Sequence, residues 1–436
     1  MTANTSRSVG LALAISVFGG GAAVAQDYAL RLTSFAEFGA FEDYNRNRNV
    51  TVLERDRPEY AAIGFRRGAF EFFPRVETAL NYDDNVFATD AQKQSDVFAT
   101  IDPSITFNST WSRHSVDGGA GVNHRHYFDF SSENQTGYYA RLNGQLEVVG
   151  DSYVRGGLST QRAFEPRTAS GSPTNAVEPI EFDSSGLYAR GVYQFGRMKA
   201  GIGGDYREVD YKNGRTPTGA VVSQADRDRT ISNLRATAEY GITPDFSVFG
   251  LVGYSDSDYD VEGGLAVSRD SEESSVMGGA SFDFTGLVRG AVGIGYSQRD
   301  YDADAYPDID GLNFRGKIEY LPTPLTTITV SAARSVEDST IIGSGGYFAR
   351  RAELRVDHEL RRFVLVRAGL SYEEDRYKGA DRSDDITEAA VGGTYLLSNS
   401  AGLSADVVYS KRVSDGAFAG RDYDALGFRV SFVLQR

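Results

Sequence analysis

The feature that most constrains this chain is a two-residue alternation of apolar and polar side chains, recurring from about residue 73 to the C-terminus. Leu312, Phe314, Ile318 and Tyr320 share one face of an extended segment, and Asn313, Arg315, Lys317 and Glu319 share the other. Ala352, Leu354, Val356 and Leu360 alternate in the same way with Arg351, Glu353, Arg355, Asp357 and Glu359, so that the second face is fully ionised. Ile101, Ile105, Phe107 and Trp111 oppose Asp102, Ser104, Thr106, Asn108 and Thr110, while Leu142, Leu146 and Val148 oppose Arg141, Asn143, Gln145 and Glu147. Each segment therefore asks for an apolar medium on one side and water on the other. A soluble sandwich or propeller could supply that, as could a sheet closed inside a membrane.

Connection lengths favour the membrane. Short connections fall at 112–114, 150–151, 196–197, 243–245, 286, 322–324, 361–362 and 398–400, and longer polar ones lie between them at 166–179, 212–228, 260–271, 302–310 and 414–421. Short turns on one side and long loops on the other are the pattern of an outer-membrane barrel, with the turns periplasmic and the loops extracellular. The expected fold is all-β, a transmembrane antiparallel up-and-down β-barrel of about 18 strands with both ends in the periplasm. Leu426, Phe428, Val430, Phe432 and Leu434 form a last apolar face that can pair with the first strand and leave no edge. The chain ends on Arg436 rather than on the phenylalanine usual for such strands.

The N-terminus agrees with export. Residues 1–25 combine Arg7, an apolar run from Val9 to Phe18 too short to span a bilayer, and small residues at Ala23 and Ala25, which together read as a signal peptide. Residues 26–72 lack clean alternation and are rich in charge from Arg46 to Arg57, so they read as a periplasmic extension, with docking to a periplasmic partner as the sharper alternative. Residues 73–436 form the barrel. After the signal no run approaches the roughly 18 to 20 apolar residues of a transmembrane helix. A mean hydropathy of -0.35 alongside 48 Gly, 25 Tyr and 26 Phe suits strands whose two faces average to near neutral. A net charge of -15 excludes nucleic acid as a partner, because phosphates would be repelled. The absence of cysteine removes disulfides, thiolate metal sites and a cysteine nucleophile from consideration.

Six rising segments end in a similar phrase, at Tyr82, Tyr206, Tyr254, Tyr296, Tyr372 and Tyr409, and in four of them a second tyrosine follows at Tyr211, Tyr259, Tyr301 and Tyr377. The odd spacing places the two rings on opposite faces. The first set is expected in an interfacial aromatic girdle, the second inside the barrel or above the bilayer.

Particular motifs also carry a family resemblance. Arg57-Pro58-Glu59-Tyr60, Gly64, Phe70, Phe72-Phe73-Pro74, Tyr82-Asp83-Asp84-Asn85-Val86-Phe87, Ser95-Asp96, Trp111-Ser112-Arg113-His114, Phe164-Glu165-Pro166-Arg167 and Val177-Glu178-Pro179 resemble the putative β-barrel porin-2 family of outer-membrane proteins. The resemblance implies a barrel similar to those encoded with exopolysaccharide synthesis and secretion systems, where such a barrel provides the outer-membrane exit. It implies no catalytic residues.

The remaining candidates for chemistry are weak. His124 and His126 share one strand face but sit at the parity of Val122 and Phe128, on the lipid or interfacial side, so no metal is expected there. His114 and His358 have no recognisable nucleophile beside them, and the acidic clusters at 256–260, 302–310 and 381–385 lack the closing glutamate of a calcium loop and read as hydrated loops or as bridges to lipopolysaccharide. No enzyme activity and no cofactor are expected.

The polar faces carry the functional expectation. A cylinder of about 16 to 18 strands is too wide for side chains to fill, so it encloses water unless a loop or the N-terminal segment plugs it. Arg315, Lys317, Glu319, Arg351, Glu353, Arg355, Asp357 and Glu359 would line that lumen as a mixed-charge wall suited to uncharged or weakly anionic sugars. The expectation is an outer-membrane channel of a Gram-negative cell, in contact with outer-membrane lipid and lipopolysaccharide. It would serve as the conduit of an exopolysaccharide export system with periplasmic export components as partners. The alternatives are a general diffusion porin for small hydrophilic solutes and a non-conducting structural or adhesive barrel.

Overall fold

In the computed structural model, residues 41, 44–46, 48–261, 267–341 and 343–436 are described. The expected signal peptide lies outside them. Eighteen long strands carry the fold: β1 (Phe70–Asp83), β2 (Asp96–Ser109), β3 (Ser115–Tyr127), β4 (Gln135–Glu147), β5 (Tyr153–Phe164), β6 (Glu181–Phe195), β7 (Met198–Tyr211), β8 (Arg229–Thr243) and β9 (Phe246–Tyr259), followed by β10 (Ser271–Phe284), β11 (Val288–Tyr301), β12 (Ile309–Thr323), β13 (Thr326–Asp338), β14 (Gly346–Arg361), β15 (Val364–Tyr377), β16 (Ser383–Leu396), β17 (Ala401–Asp415) and β18 (Tyr423–Gln435). Each pairs antiparallel with its neighbour, and β1 closes on β18 from Arg75↔Gln435 to Asp83↔Gly427. The result is a closed 18-stranded antiparallel barrel. Closure satisfies the backbone polar groups that an open edge would leave bare in hydrocarbon, at several kcal/mol each. A three-residue strand, Phe65–Arg67, folds back on the foot of β1, and a two-residue hairpin, Gly214–Arg215 with Val221–Val222, sits in the loop after β7.

Burial is inverted relative to a soluble protein, as the alternation requires. Leu158, Ile202, Leu312, Val391 and Val430 are exposed on the outer face, whereas Ser281, Asp283, Arg289, Arg367 and Asp384 are buried inside. Odd-numbered strands rise toward the long loops, and tight turns return the chain. Gly196 (φ 58°) and Gly286 (φ 70°) occupy two of those turns in the left-handed region where a side chain is strained.

The wall begins at Phe70 rather than at residue 73. The larger difference concerns the segment before it, expected as a periplasmic extension or as a plug of the lumen. Its described residues follow the short-turn rim, with Arg48 paired to Asp245, Asn49 donating to the Gly286 carbonyl, Arg55 to the Pro324 carbonyl, and Arg362 bonded to Glu59 at 3.3 Å. Upstream of Arg48 they enter the lumen. Local sequence offers no periodicity there because these residues are held by ion pairs to distant strands rather than by a ladder.

Candidate functional site

A chamber of about 760 Å³ lies inside the barrel against β7 to β14. The N-terminal segment forms its floor, through Phe41, Thr51 and Leu53. Phe41 packs edge-on against Phe249 at 5.2 Å and beneath the Arg315 guanidinium at 5.1 Å, and Tyr44 lies 5.8 Å from Lys317 Nζ. Burial and the neighbouring Glu319 carboxylate push the Tyr44 phenol well above its usual range, so it stays neutral. Arg46 donates to Ser247 and Ser281 hydroxyls at 3.2 Å and pairs with Glu239 at 3.5 Å. Further along, Val52 donates its amide to Thr327 Oγ1, Glu54 meets Arg289 at 2.8 Å, and Arg57 meets Glu359 at 2.6 Å with both side chains buried. Burial alone would raise Glu54, but hydrogen bonds from Thr51 and Arg289 outweigh it and hold the carboxyl below its ordinary value.

The loop joining β5 to β6 forms the roof, through Glu165, Ala169, Ser170 and Gly171. Arg167 anchors it with a two-pronged bond to buried Glu133 at 2.6 and 3.1 Å and further bonds to the Ala176 and Val177 carbonyls. Glu165 receives a similar fork from Arg227 at 2.5 and 3.0 Å, and Arg227 lies over the Tyr211 ring at 3.9 Å. From there the loop crosses the mouth. Thr168 accepts from Arg412 on β17, the Arg167 carbonyl accepts from Arg421, and Gly171 packs so closely on Thr340 that a Cβ would stand 2.6 Å from its hydroxyl.

The wall is dominated by guanidinium groups. Arg207, Arg229 and Arg235 come from β7 and β8, Arg299 from β11, Arg315 and Lys317 from β12, and Arg351 and Arg355 from β14. Counting Arg227, Arg269 and Arg334 as well, eleven basic side chains line the chamber against seven carboxylates. Five of these carboxylates compensate particular neighbours: Glu165 bonds Arg227 at 2.5 Å, Glu273 bonds Arg299 at 2.7 Å, Glu319 bonds Arg289 at 2.5 Å, Asp338 bonds Arg299 at 2.5 Å, and Asp357 bonds Arg355 at 2.8 Å.

Seven of the eight residues read from the sequence as lumen-facing, namely Arg315, Lys317, Glu319, Arg351, Glu353, Arg355 and Asp357, border the chamber. Glu359 does not, because Arg57 covers it from below. The ion pairs run both along and across strands, as Lys317–Glu319 at 3.7 Å and Arg351–Glu373 show. Tyr82, Tyr206, Tyr254, Tyr296, Tyr372 and Tyr409 are exposed on the outer face toward the loop ends of their strands. The second set turns inward, with Tyr259 buried between Arg229 and Arg269 and Tyr377 beside Arg382. His124 bonds Thr136 on the outer face, and no cluster of three or more His, Cys, Asp or Glu fit to hold a metal occurs among the described residues. Arg207, Arg229, Arg235 and Arg299 also border the chamber, and strand parity is the signal in the sequence that marks them as inward. The floor and roof have no local signal beyond the charge of 46–57 and the length of 166–179.

The chain is similar in fold to several solved outer-membrane proteins. OccAB4 of Acinetobacter baumannii is 12% identical, with 84% of this chain and 98% of that one covered at a TM-score of 0.44. The outer membrane protein opdK of Pseudomonas aeruginosa is 13% identical (84% and 99% covered, TM-score 0.42), and the siderophore receptor PirA of A. baumannii is 8% identical (84% and 80% covered, TM-score 0.45). No curated protein matches. The model of the family described as "Putative beta-barrel porin 2" matches residues 57–436, all of the wall and part of the floor, and the chain belongs to that family of outer-membrane, porin-like barrels.

Proposed function

We propose that this barrel is a Gram-negative outer-membrane conduit for anionic hydrophilic solutes, with the basic chamber as its solute-binding station and residues 41–60 as the segment that must shift for passage. The observation that carries this reading is the sign of the charge: the chain has a net charge of -15, yet its chamber is lined by an excess of arginine and lysine. Charge set in low-dielectric walls focuses the field and concentrates the counter-ion, here an anion. At about 760 Å³ the chamber falls within the roughly 300–1,000 Å³ of small-molecule sites, which suits a sugar acid or short acidic oligosaccharide. The mixed-charge wall expected from the strands β12 and β14 alone is thus tipped toward anions by arginines on β7, β8 and β11. No chemical step is involved, and the floor and roof act only by steric and ionic contact.

Export of an acidic exopolysaccharide is the second reading. The same basic wall supports it, since an extended acidic strand could thread the lumen once the floor segment is drawn aside, and periplasmic export components are the partners that would draw it. The pore-lining residues act as transient carboxylate ligands, and the outer tyrosines anchor the barrel at the lipid and lipopolysaccharide interface. Planar-bilayer recordings of the mature chain test the proposal: anion selectivity and block by a hexuronate are expected, and cation selectivity would refute it. Periplasmic retention of polymer in a deletion strain would favour export, whereas slower uptake of a small acid with normal polymer secretion would favour diffusion. A barrel that stays closed even without residues 26–60 would favour the display reading.

A further inference from the structure

One seam of the wall is not zipped. The ladder between β12 and β13 ends at Phe314↔Arg334, although β12 begins at Ile309 and β13 continues to Asp338. Above that point β12 is paired only to β11 and β13 only to β14. The end of β13 has turned into the lumen: Asp338, whose even number would place it outside, bonds Arg299 at 2.5 Å and Arg229 at 3.4 Å, and Ser339 offers its carbonyl to Arg269. Unpaired backbone at membrane depth is tolerated only where protein covers it or a water-filled cavity adjoins it. The chamber adjoins it here. Its lining includes Phe314, Gly316, Ala332 and Arg334, strand positions of outward parity on β12 and β13, whereas β7 to β11 contribute only inward positions.

The seam is closed by side chains rather than by backbone. Phe348 on β14 reaches over the outer side of β13 and packs with Ile309 and Val336, its ring tip 3.1 Å from where a Cβ on Gly311 would stand. Arg334 lies across the gap, its guanidinium 3.7 Å from the Phe348 ring centre while it donates to the Leu312 carbonyl. The level is that of the outer leaflet, because Leu312 pairs with the exposed Tyr296, and Ala352, one strand beyond, pairs with the exposed Tyr372. Outside the seam the membrane meets exposed Leu312, Phe314 and Val330, and beside it Arg350 stands opposite Arg334 and shares Glu374 with Arg376. Three arginines and one carboxylate thus surround a closed gap that leads from apolar surface to a basic chamber.

We propose that this seam is a lateral port, through which an amphiphile with an anionic head and a single apolar tail passes between the outer leaflet and the chamber. The inference rests on the chamber binding anions. The head would exchange Arg334 for the chamber arginines while the tail stays against the outer face, and Phe348 must swing for it to enter. The port needs no passage through the floor.

The test uses the full mature chain in bilayers doped with a long-chain fatty acid bearing a photoreactive diazirine next to its carboxylate, and with the corresponding methyl ester. Crosslinks from the acid should map to Asn313, Arg315 and Ser335 on the chamber side, should fall several-fold with the ester, and should rise in Phe348→Ala. Crosslinks confined to Leu312 and Val330 for both probes in the wild type would overturn the proposal, so the result does not depend on the variant assembling. Chamber labelling by the acid in a protein that passes no anion current would sustain the port while refuting transmembrane conduction. Absence of labelling in an anion-selective channel would do the reverse.

Discussion

Removing Arg57 should release the floor of the chamber. Its guanidinium lies 2.6 Å from Glu359 with side-chain exposures of 6% and 5%, and it also donates to the Val52 carbonyl at 2.8 Å. In Arg57→Ala, Glu359 keeps only Arg55, more exposed and 3.6 Å away. Breaking a buried pair from one side costs about 3 to 5 kcal/mol because a charge is left unpartnered, and the residual Arg55 contact argues for the lower end, about 3 kcal/mol. The loss falls on the docked state alone, since an undocked Glu359 faces lumen water. At about 1.4 kcal/mol per tenfold, the docked-to-undocked ratio should drop on the order of a hundredfold. Single-channel recordings should show a matching rise in open time, and hydrogen exchange should show faster exchange at the Val52 amide, which is bonded to Thr327. Unchanged open time and unchanged protection in a barrel that still migrates as folded on an unheated gel would refute the account of the floor.

Acidification should act in the same direction through Glu54, whose carboxyl is held below its ordinary value of 4.5 when docked; the docking it supports is complete above that value and is lost as pH falls through the depressed one, so open time should rise as the pH is lowered beneath 4.5 and should not rise in Glu54→Gln. Arg315→Glu or Arg355→Glu should shift reversal potentials toward cations with normal assembly, and misassembly with unchanged selectivity would show the faces to be inverted. Phe314→Asp or Leu354→Asp should impair folding into lipid while sparing selectivity, since a charge on the lipid face costs roughly 2 to 4 kcal/mol at the midplane for basic residues and less for acidic ones. Arg167→Ala should free the roof loop by uncoupling it from Glu133, read as faster proteolysis at 165–180 in intact cells, and equal resistance would refute the clasp.

Much of the wall is legible in the sequence. The parity that sets Arg355 against Leu354 corresponds to a basic side chain bordering the chamber and an apolar one exposed outside, because each strand must solve the same two-solvent problem with its own residues. Turns and loops followed from length, and closure of β1 on β18 from the last apolar face. The chamber was not legible. Its floor depends on Arg46, Glu54 and Arg57 meeting strands hundreds of positions away, and Arg57 lies 302 residues from Glu359. The roof depends on a polar loop whose sequence records its length but not its direction. The inward turn of β13 keeps an ordinary alternating pattern, so nothing in residues 326–338 announces that the ladder to β12 stops at Arg334.

The amino-acid order alone decided that this chain lives as a closed barrel with one face in lipid, since side-chain period and turn length act between neighbours and need no knowledge of the rest. Only the folded molecule decided what the barrel contains. Ion pairs inside a lumen join whichever opposite charges closure brings face to face, and that meeting is a property of the completed cylinder rather than of any stretch of its sequence.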